Sequence, residues 1–302
     1  MIYNAVRLTI GDLPPFEGLR TEFEINATPG FFDKAVLIVY NMKQESFDAL
    51  RYDALSIVEV LSETGWEQIY TGRFRLKQRE NRDGSSLSKL NLFSDLRDYS
   101  NRYNLSMTEN STGNDVIKFF KDAMPTIDFV ISEKAQAIID ELVFEGGYSP
   151  QNNTYYQLLT DFIVDEVGRE FMPRFTSSKV SIGQSSKSPV KIDSRNGMVG
   201  VPEFAKVIYR DESRNDQSAY QGRVTARLIP SLDVHDKITV ESHYIKLMNE
   251  QQFTTSKVLT ERQYQSITQP GSGLYQVWKI VHQGDTHGDE WQTKIEFREI
   301  VQ

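Results

Sequence analysis

A mainly β fold with a smaller α/β part is what this 302-residue sequence predicts, and three observations carry the expectation. Short apolar or alternating segments separated by turn residues crowd the first hundred residues, a spacing that favours a sandwich or barrel. The same pattern returns after Lys179. Between these two β-rich parts the apolar period lengthens to that of a helix. The length itself suits roughly two domains of about 150 residues each.

The N-terminal elements follow from their side-chain pattern. Thr21 to Asn26 alternates, with Phe23 and Ile25 on one side and Glu22 and Glu24 on the other. Ala35 to Tyr40 is a continuous apolar run, as in a strand buried on both faces. A brief helix is expected near Ser46 to Arg51, and Leu55 to Leu61 is rich in β-branched residues. In Glu67 to Lys77, Tyr70, Gly72, Phe74 and Leu76 share one face, and Arg73, Arg75 and Lys77 point the other way. Asn81 to Gly84 then supplies a turn, and Leu87 to Phe93 returns as a strand.

After about Tyr103 the composition shifts. Asn114 is placed to cap a helix carrying Val116, Phe119, Phe120 and Ala123, which Pro125 stops. A second helix is expected from about Thr154 to Val167, striped by Tyr155, Leu158, Leu159, Phe162, Ile163 and Val167. Gly168 sits where a left-handed C-terminal cap belongs. The stretch between, ending in Phe144-Glu145-Gly146-Gly147, reads as a strand and a turn. Further strands are expected at Val180 to Ile182, Val224 to Ile229, Lys237 to Val240, Gln276 to Val281 and Thr293 to Ile300. Residues 183–197, 211–221 and 249–273 read as long loops, of the kind used for binding or assembly.

Composition excludes several kinds of function. Lys and Arg number 34 against 42 Asp and Glu, so the formal charge of −8 argues against electrostatic grip on nucleic acid. With no cysteine, disulfides, thiolate metal sites, iron–sulfur clusters and cysteine nucleophiles are ruled out. The start lacks the pattern of a signal peptide, and no apolar run approaches the roughly 20 residues of a membrane-crossing helix. A soluble protein assembled in a reducing cytoplasm is expected.

Each cluster with chemical potential has a plainer reading. His282, Asp285, His287 and Asp289 offer divalent-metal donors, yet Gly284 to Asp289 also has the composition of a hairpin loop, and the loop is the expectation. Glu22 with Glu24, and Asp161 with Asp165, are carboxylate pairs on wet faces, unlike two carboxyls opposed across a glycosidase cleft. No phosphate-binding glycine motif and no Gly-x-Ser-x-Gly elbow occurs. The basic row Arg73, Arg75, Lys77 and Arg79 is expected to meet an acidic neighbouring subunit rather than nucleic acid. Tyr155 and Tyr156 read as core, and Trp66 and Trp278 as barrel or interface packing. Catalytic, cofactor-binding and metal-ligating residues are therefore assigned to none of these positions.

Two stretches carry a family pattern. The first is Gly197-Met198-Val199-Gly200-Val201-Pro202, with Val224 to Pro230 and Asp236 to Ser242. The second and more specific runs from Leu274 to Thr293 and joins an aromatic strand around Trp278, a His282-Gln283-Gly284-Asp285 turn and a Trp291-Gln292-Thr293 return strand. Together they resemble the C-terminal barrel of phage contractile-tail baseplate hub proteins, which are similar to the tube-like part of type VI secretion spike proteins. The family places glycine before the aspartate where His235 precedes Asp236, a residue that tolerates positive φ better than most.

The resemblance implies two tail-tube-like β-barrels in one chain, at 1–102 and 177–302, around an α/β insertion at 103–176. It further implies a homotrimeric, non-enzymatic and cofactor-free hub in the tail baseplate of the virion. Three chains with six barrels would join a sixfold tail tube to a threefold central spike. Its partners would be the spike, the tail tube, the tube-initiator and the tape-measure protein, with DNA passing through the lumen without specific binding. The alternatives are a tail-tip metal-dependent hydrolase and a single-barrel hexameric tube-initiator or distal tail protein.

Overall fold

Alternating burial runs through the N-terminal strands of the computed structural model, which describes residues 4–82, 84–94, 97–151, 153–210, 216–242, 244–248, 255–260 and 273–300. Val6–Ile10, Thr21–Ala27 and Lys34–Tyr40 each turn every second side chain inward, among them Leu8, Phe23, Ile25, Leu37 and Val39. These strands join Leu55–Ser62, Gly65–Arg82 and Ser85–Phe93 in an antiparallel run. From one edge its order is Val6–Ile10, Leu55–Ser62, Gly65–Arg82, Ser85–Phe93, Lys34–Tyr40, Thr21–Ala27. The short helix Gln44–Ala49 buries Phe47 against this half.

The C-terminal half is a second run: Leu274–Asp285, Trp291–Glu299, Asp216–Arg227, Met198–Arg210, Tyr244–Met248, Thr255–Thr260. Its neighbours are antiparallel except Met198–Arg210 with Tyr244–Met248. Val190–Ile192 pairs with Lys237–Val240, which pairs with Leu274–Asp285. Because Thr21–Ala27 also pairs with Leu274–Asp285, the two runs and the pair Val190–Ile192 and Lys237–Val240 form one sheet of 14 strands among the described residues. The mainly β class stands. Among the described residues, however, neither half closes on itself into a barrel; the edge strand of each run pairs with the edge strand of the other.

Three cores result. Leu8, Phe23, Leu37, Val58, Phe74 and Leu92 fill the first half, and Phe204, Val224, Ile238, Tyr275, Ile280 and Phe297 the last. The third lies under the helices Gly113–Ala123, Glu133–Glu141 and Tyr155–Phe162 and the small sheet of Arg174–Phe175, Lys179–Ile182 and Asp128–Ile131. It mixes aliphatic with aromatic side chains, with Tyr99, Phe120, Tyr155, Phe162 and Phe175 among the buried ones. Each such side chain stabilises the fold by roughly 1.5–3 kcal/mol relative to exposure. Tyr155 belongs to this core as expected, and its hydroxyl donates to the Phe120 carbonyl at 2.8 Å.

Several local expectations are corrected. Thr112, not Asn114, caps the Gly113–Ala123 helix in a reciprocal box with Asp115, while Asn114 bonds Asp140 at 2.9 Å. The helix Glu133–Glu141 stands where only a strand and turn were expected; Ser132 caps it, and Ala135 and Ile139 bury one turn apart. Gly168 has φ 131° and ψ 146°, an extended positive-φ conformation rather than a left-handed cap. A β-bulge between Phe74 and Leu76 inserts Arg75, so Leu76 turns outward to 50% exposure instead of joining Tyr70 and Phe74. Within the expected loops, Val190–Ile192 and Thr255–Thr260 are strands, and Asp216–Arg227 begins inside 211–221. The remainder of that loop, 211–215, and residues 249–254 and 261–272 lie outside the described residues.

Candidate assembly site at the seam between the halves

The seam is built from strand edges. Glu22 faces Asp285, Phe23 faces Gly284, Glu24 faces Gln283, Ile25 faces His282, and Ala27 faces Ile280. Thr286 lengthens the ladder, donating its N–H to the Thr21 carbonyl at 3.1 Å and accepting the Thr21 N–H on its hydroxyl at 3.0 Å. On the inner side Phe23 meets Trp291 edge-on at 5.4 Å. Both rings lie over Gly284, where a Cβ would come within 2.4 Å of Phe23 and 2.6 Å of Trp291. The glycine expected to shape a turn is therefore a strand residue, small so that two aromatics can cover the joint.

A buried charge cluster ties all three parts together. Arg174, 8% exposed, donates from Nη2 to Asp33 Oδ2 at 2.7 Å and from Nη1 to Asp233 Oδ1. Asp33 comes from the first half, Asp233 from the last, and Arg174 from the α/β part. The loop before Asp33 is held to the same segment, since Gly30 N–H donates to the Pro173 carbonyl at 2.7 Å and Ser94 Oγ donates to the Phe175 carbonyl at 3.3 Å. Burial pushes the Asp33 carboxyl up to about 6 against the pull of Arg174. Burial also acts on Asp233, but its side chain is 36% exposed, and Arg174 holds it below the usual range.

Two histidines line the same junction. His235 has φ 72°, so a non-glycine residue holds the left-handed turn before Asp236, and its Nδ1 lies 2.6 Å from the Gly183 carbonyl. His282 sits 3.0 Å from Thr293 Oγ1. Burial pushes both imidazoles down to about 4, which keeps them neutral.

Neither a family model nor a curated protein matches the sequence. Solved structures do match its fold. The tail protein of Neisseria meningitidis MC58 aligns with a TM-score of 0.60 over 99% of this chain and 97% of its own, at 11% identity. The 43 kDa tail protein of prophage MuSo2 from Shewanella oneidensis gives 0.59 over 97% and 96%, also at 11% identity. The fold is that of phage tail proteins. The c3393 protein of E. coli, a type VI secretion component described as structurally similar to the T4 tail proteins gp27 and gp5, gives 0.56 over 98% and 76%, at 10% identity.

On this tail-protein fold the other singled-out residues have internal uses. Arg75 donates to Asp53 Oδ1 at 2.6 Å, and Lys77 Nζ to the carbonyls of Phe47 and Asp48 at 2.6 and 3.2 Å. Arg79 donates to the Met42 carbonyl at 2.8 Å and lies over Phe47 at 5.4 Å. Within the chain this row therefore meets Asp53 and the carbonyl end of the Gln44–Ala49 helix. The four metal-donor candidates do not converge. His282 is buried, Asp285 accepts from Arg20 at 2.9 Å, and His287 and Asp289 stand on the 286–290 hairpin. Among the described residues no group of three such donors is placed to hold a metal. Glu22 bonds Arg20 and Tyr40, and Glu24 bonds Asn26 and Gln283, while Asp161 and Asp165 are exposed. Trp66 packs on Arg7 at 4.7 Å and Trp278 on Arg298 at 3.5 Å. No helix among the described residues is long and apolar enough to cross a membrane.

Sequence reasoning missed Arg174, Asp33 and Asp233. The only signal was three charges placed beside apolar residues: Phe32-Asp33, Arg174-Phe175 and Leu232-Asp233-Val234.

Proposed function

We propose that the chain is a structural subunit of a tail baseplate hub, working as a homotrimer that joins a sixfold tube to a threefold spike. The observation that supports this most is the seam: two six-strand runs of one chain meet edge to edge through Thr21–Ala27 and Leu274–Asp285. A chain that carries two ring segments needs three copies to present six, whereas a single-barrel tube-initiator needs six. The likeness to tail proteins over nearly the whole chain supports the same reading. On this proposal the domains are the tube-like parts 1–102 and 177–302 and the insertion 103–176. The partners are further copies of the chain, the spike, the tube and its initiator, and the tape-measure protein, with DNA passing through the lumen of a virion tail. The work is mechanical, with no reaction step.

Mass by light scattering and symmetry by electron microscopy test the proposal, alone and with the spike protein added. Trimers, with threefold or pseudo-sixfold rings, are expected. A chain that stays monomeric with spike present, or forms six-copy rings, would remove it.

A further inference from the structure

The run Ala35 to Tyr40 is apolar at every position, a composition suited to burial on both faces, yet the described residues fully bury only one. Ala35, Leu37 and Val39 point into the first core, while Val36 and Ile38 remain half-buried on the outer face of the sheet. There they form the floor of a groove of about 510 Å³. Its walls are Glu22 and Glu24 from one strand, Gln283 and Asp285 from the next, and the hairpin residues Asp289 and Glu290. The groove runs along the seam, so both halves build it.

Charge distinguishes this groove from an ordinary wet face. Arg20 pairs with Glu22 at 3.1 Å and with Asp285 at 2.9 Å. Among the described residues Glu24 is bonded to the neutral amides of Asn26 and Gln283, with Lys34 and Lys294 acting on it at longer range. Asp289 and Glu290 form no ion pair among the described residues. An apolar floor under surplus carboxylates suits an aliphatic side chain whose neighbours are cationic. Val36 and Ile38 are two residues apart, about 7 Å along a strand, which is also the repeat of side chains on one face of an extended segment.

We propose that this groove binds a basic, extended segment of a partner protein in which Lys or Arg alternates with aliphatic residues. The inference rests on the groove alone and holds whatever the number of chains in the assembly.

Fluorescence anisotropy on the full chain tests it, with a labelled alternating Lys–Val peptide of about eight residues as probe and a Glu–Val peptide as control. The Lys–Val peptide is expected to bind, to weaken about tenfold in Glu24→Gln/Asp289→Asn/Glu290→Gln, and to weaken similarly in roughly 0.5 M salt. Val36→Ser is expected to weaken it several-fold while the thermal midpoint of the free chain moves little, since Val36 is outside the core. Equal binding of both peptides, unchanged binding by the triple variant, or no binding at all overturns the proposal. So does a Val36→Ser/Ile38→Ser chain that loses self-association while the peptide fails to bind wild type; a second copy would then be the cover.

Discussion

The Arg174 guanidinium sits 2.7 Å from the Asp33 carboxylate although the two are 141 positions apart in sequence. Asp233 takes the other side of the guanidinium, so one cation spans the two halves of the sheet and the α/β part. Removing the cation leaves Asp33 buried without a counter-charge. Arg174→Leu is therefore expected to lower stability by about 3–5 kcal/mol. Urea unfolding measures this, and a loss under about 1 kcal/mol would show that the cluster does not tie the parts together.

The joint over Gly284 predicts a steric cost. A methyl group there meets Phe23 and Trp291 well inside contact distance. Gly284→Ala should destabilise by about 1–3 kcal/mol. Phe23→Leu introduced alongside should recover part of the loss, because it withdraws one of the two rings. If the double variant is the sum of the two single ones, the rings do not compete for that space.

Acid should weaken the junction in a countable way. His235 and His282 fall to about 4 on folding from an ordinary value of about 6.5, so their contribution is full above that ordinary value and is lost as the pH drops towards 4. Asp33, raised to about 6, acts in the opposite sense, its contribution being present at low pH and lost as the pH rises through 6. Between about pH 4 and 6 these three groups together take up one net proton on unfolding, worth about 1.4 kcal/mol per pH unit. His282→Gln should reduce the measured slope of stability against pH by that amount. An unchanged slope would mean that His282 is not held neutral.

Lys77 should matter to its own helix rather than to nucleic acid. Its ammonium satisfies carbonyls at the end of Gln44–Ala49. Lys77→Ala is expected to cost about 1–2 kcal/mol and to speed amide exchange across residues 44–50. Binding to duplex DNA in gel shifts should stay as weak as in wild type.

The period-two strands were readable because their pattern is local: Phe23 and Ile25 against Glu22 and Glu24, or the Lys237–Val240 strand, lie inward and outward as written. What was hidden depends on neighbours far away in sequence. Arg75 looks like one more alternating residue, and only its pairing across Ser85–Phe93 reveals the bulge that turns Leu76 outward. The Glu133–Glu141 helix is too short for a long periodic stripe, although Ser132 followed by Ala135 and Ile139 carried a faint signal. The candidate site was the least legible part. Arg174 between Pro173 and Phe175 shows nothing of its role until Asp33 and Asp233 arrive from opposite halves.

The pairing of Thr21–Ala27 with Leu274–Asp285 also sets a timetable for synthesis. The first half finishes its own strands early, but the outer edge of Thr21–Ala27 must wait for about 250 further residues. At roughly 5–20 residues per second, that edge stays open on the ribosome for roughly ten to fifty seconds. Sibling nascent chains on one message could zip together there. Glu22 and Glu24, projecting from the waiting strand, set like charge against like charge in any such premature pairing and hold the edge for its proper mate.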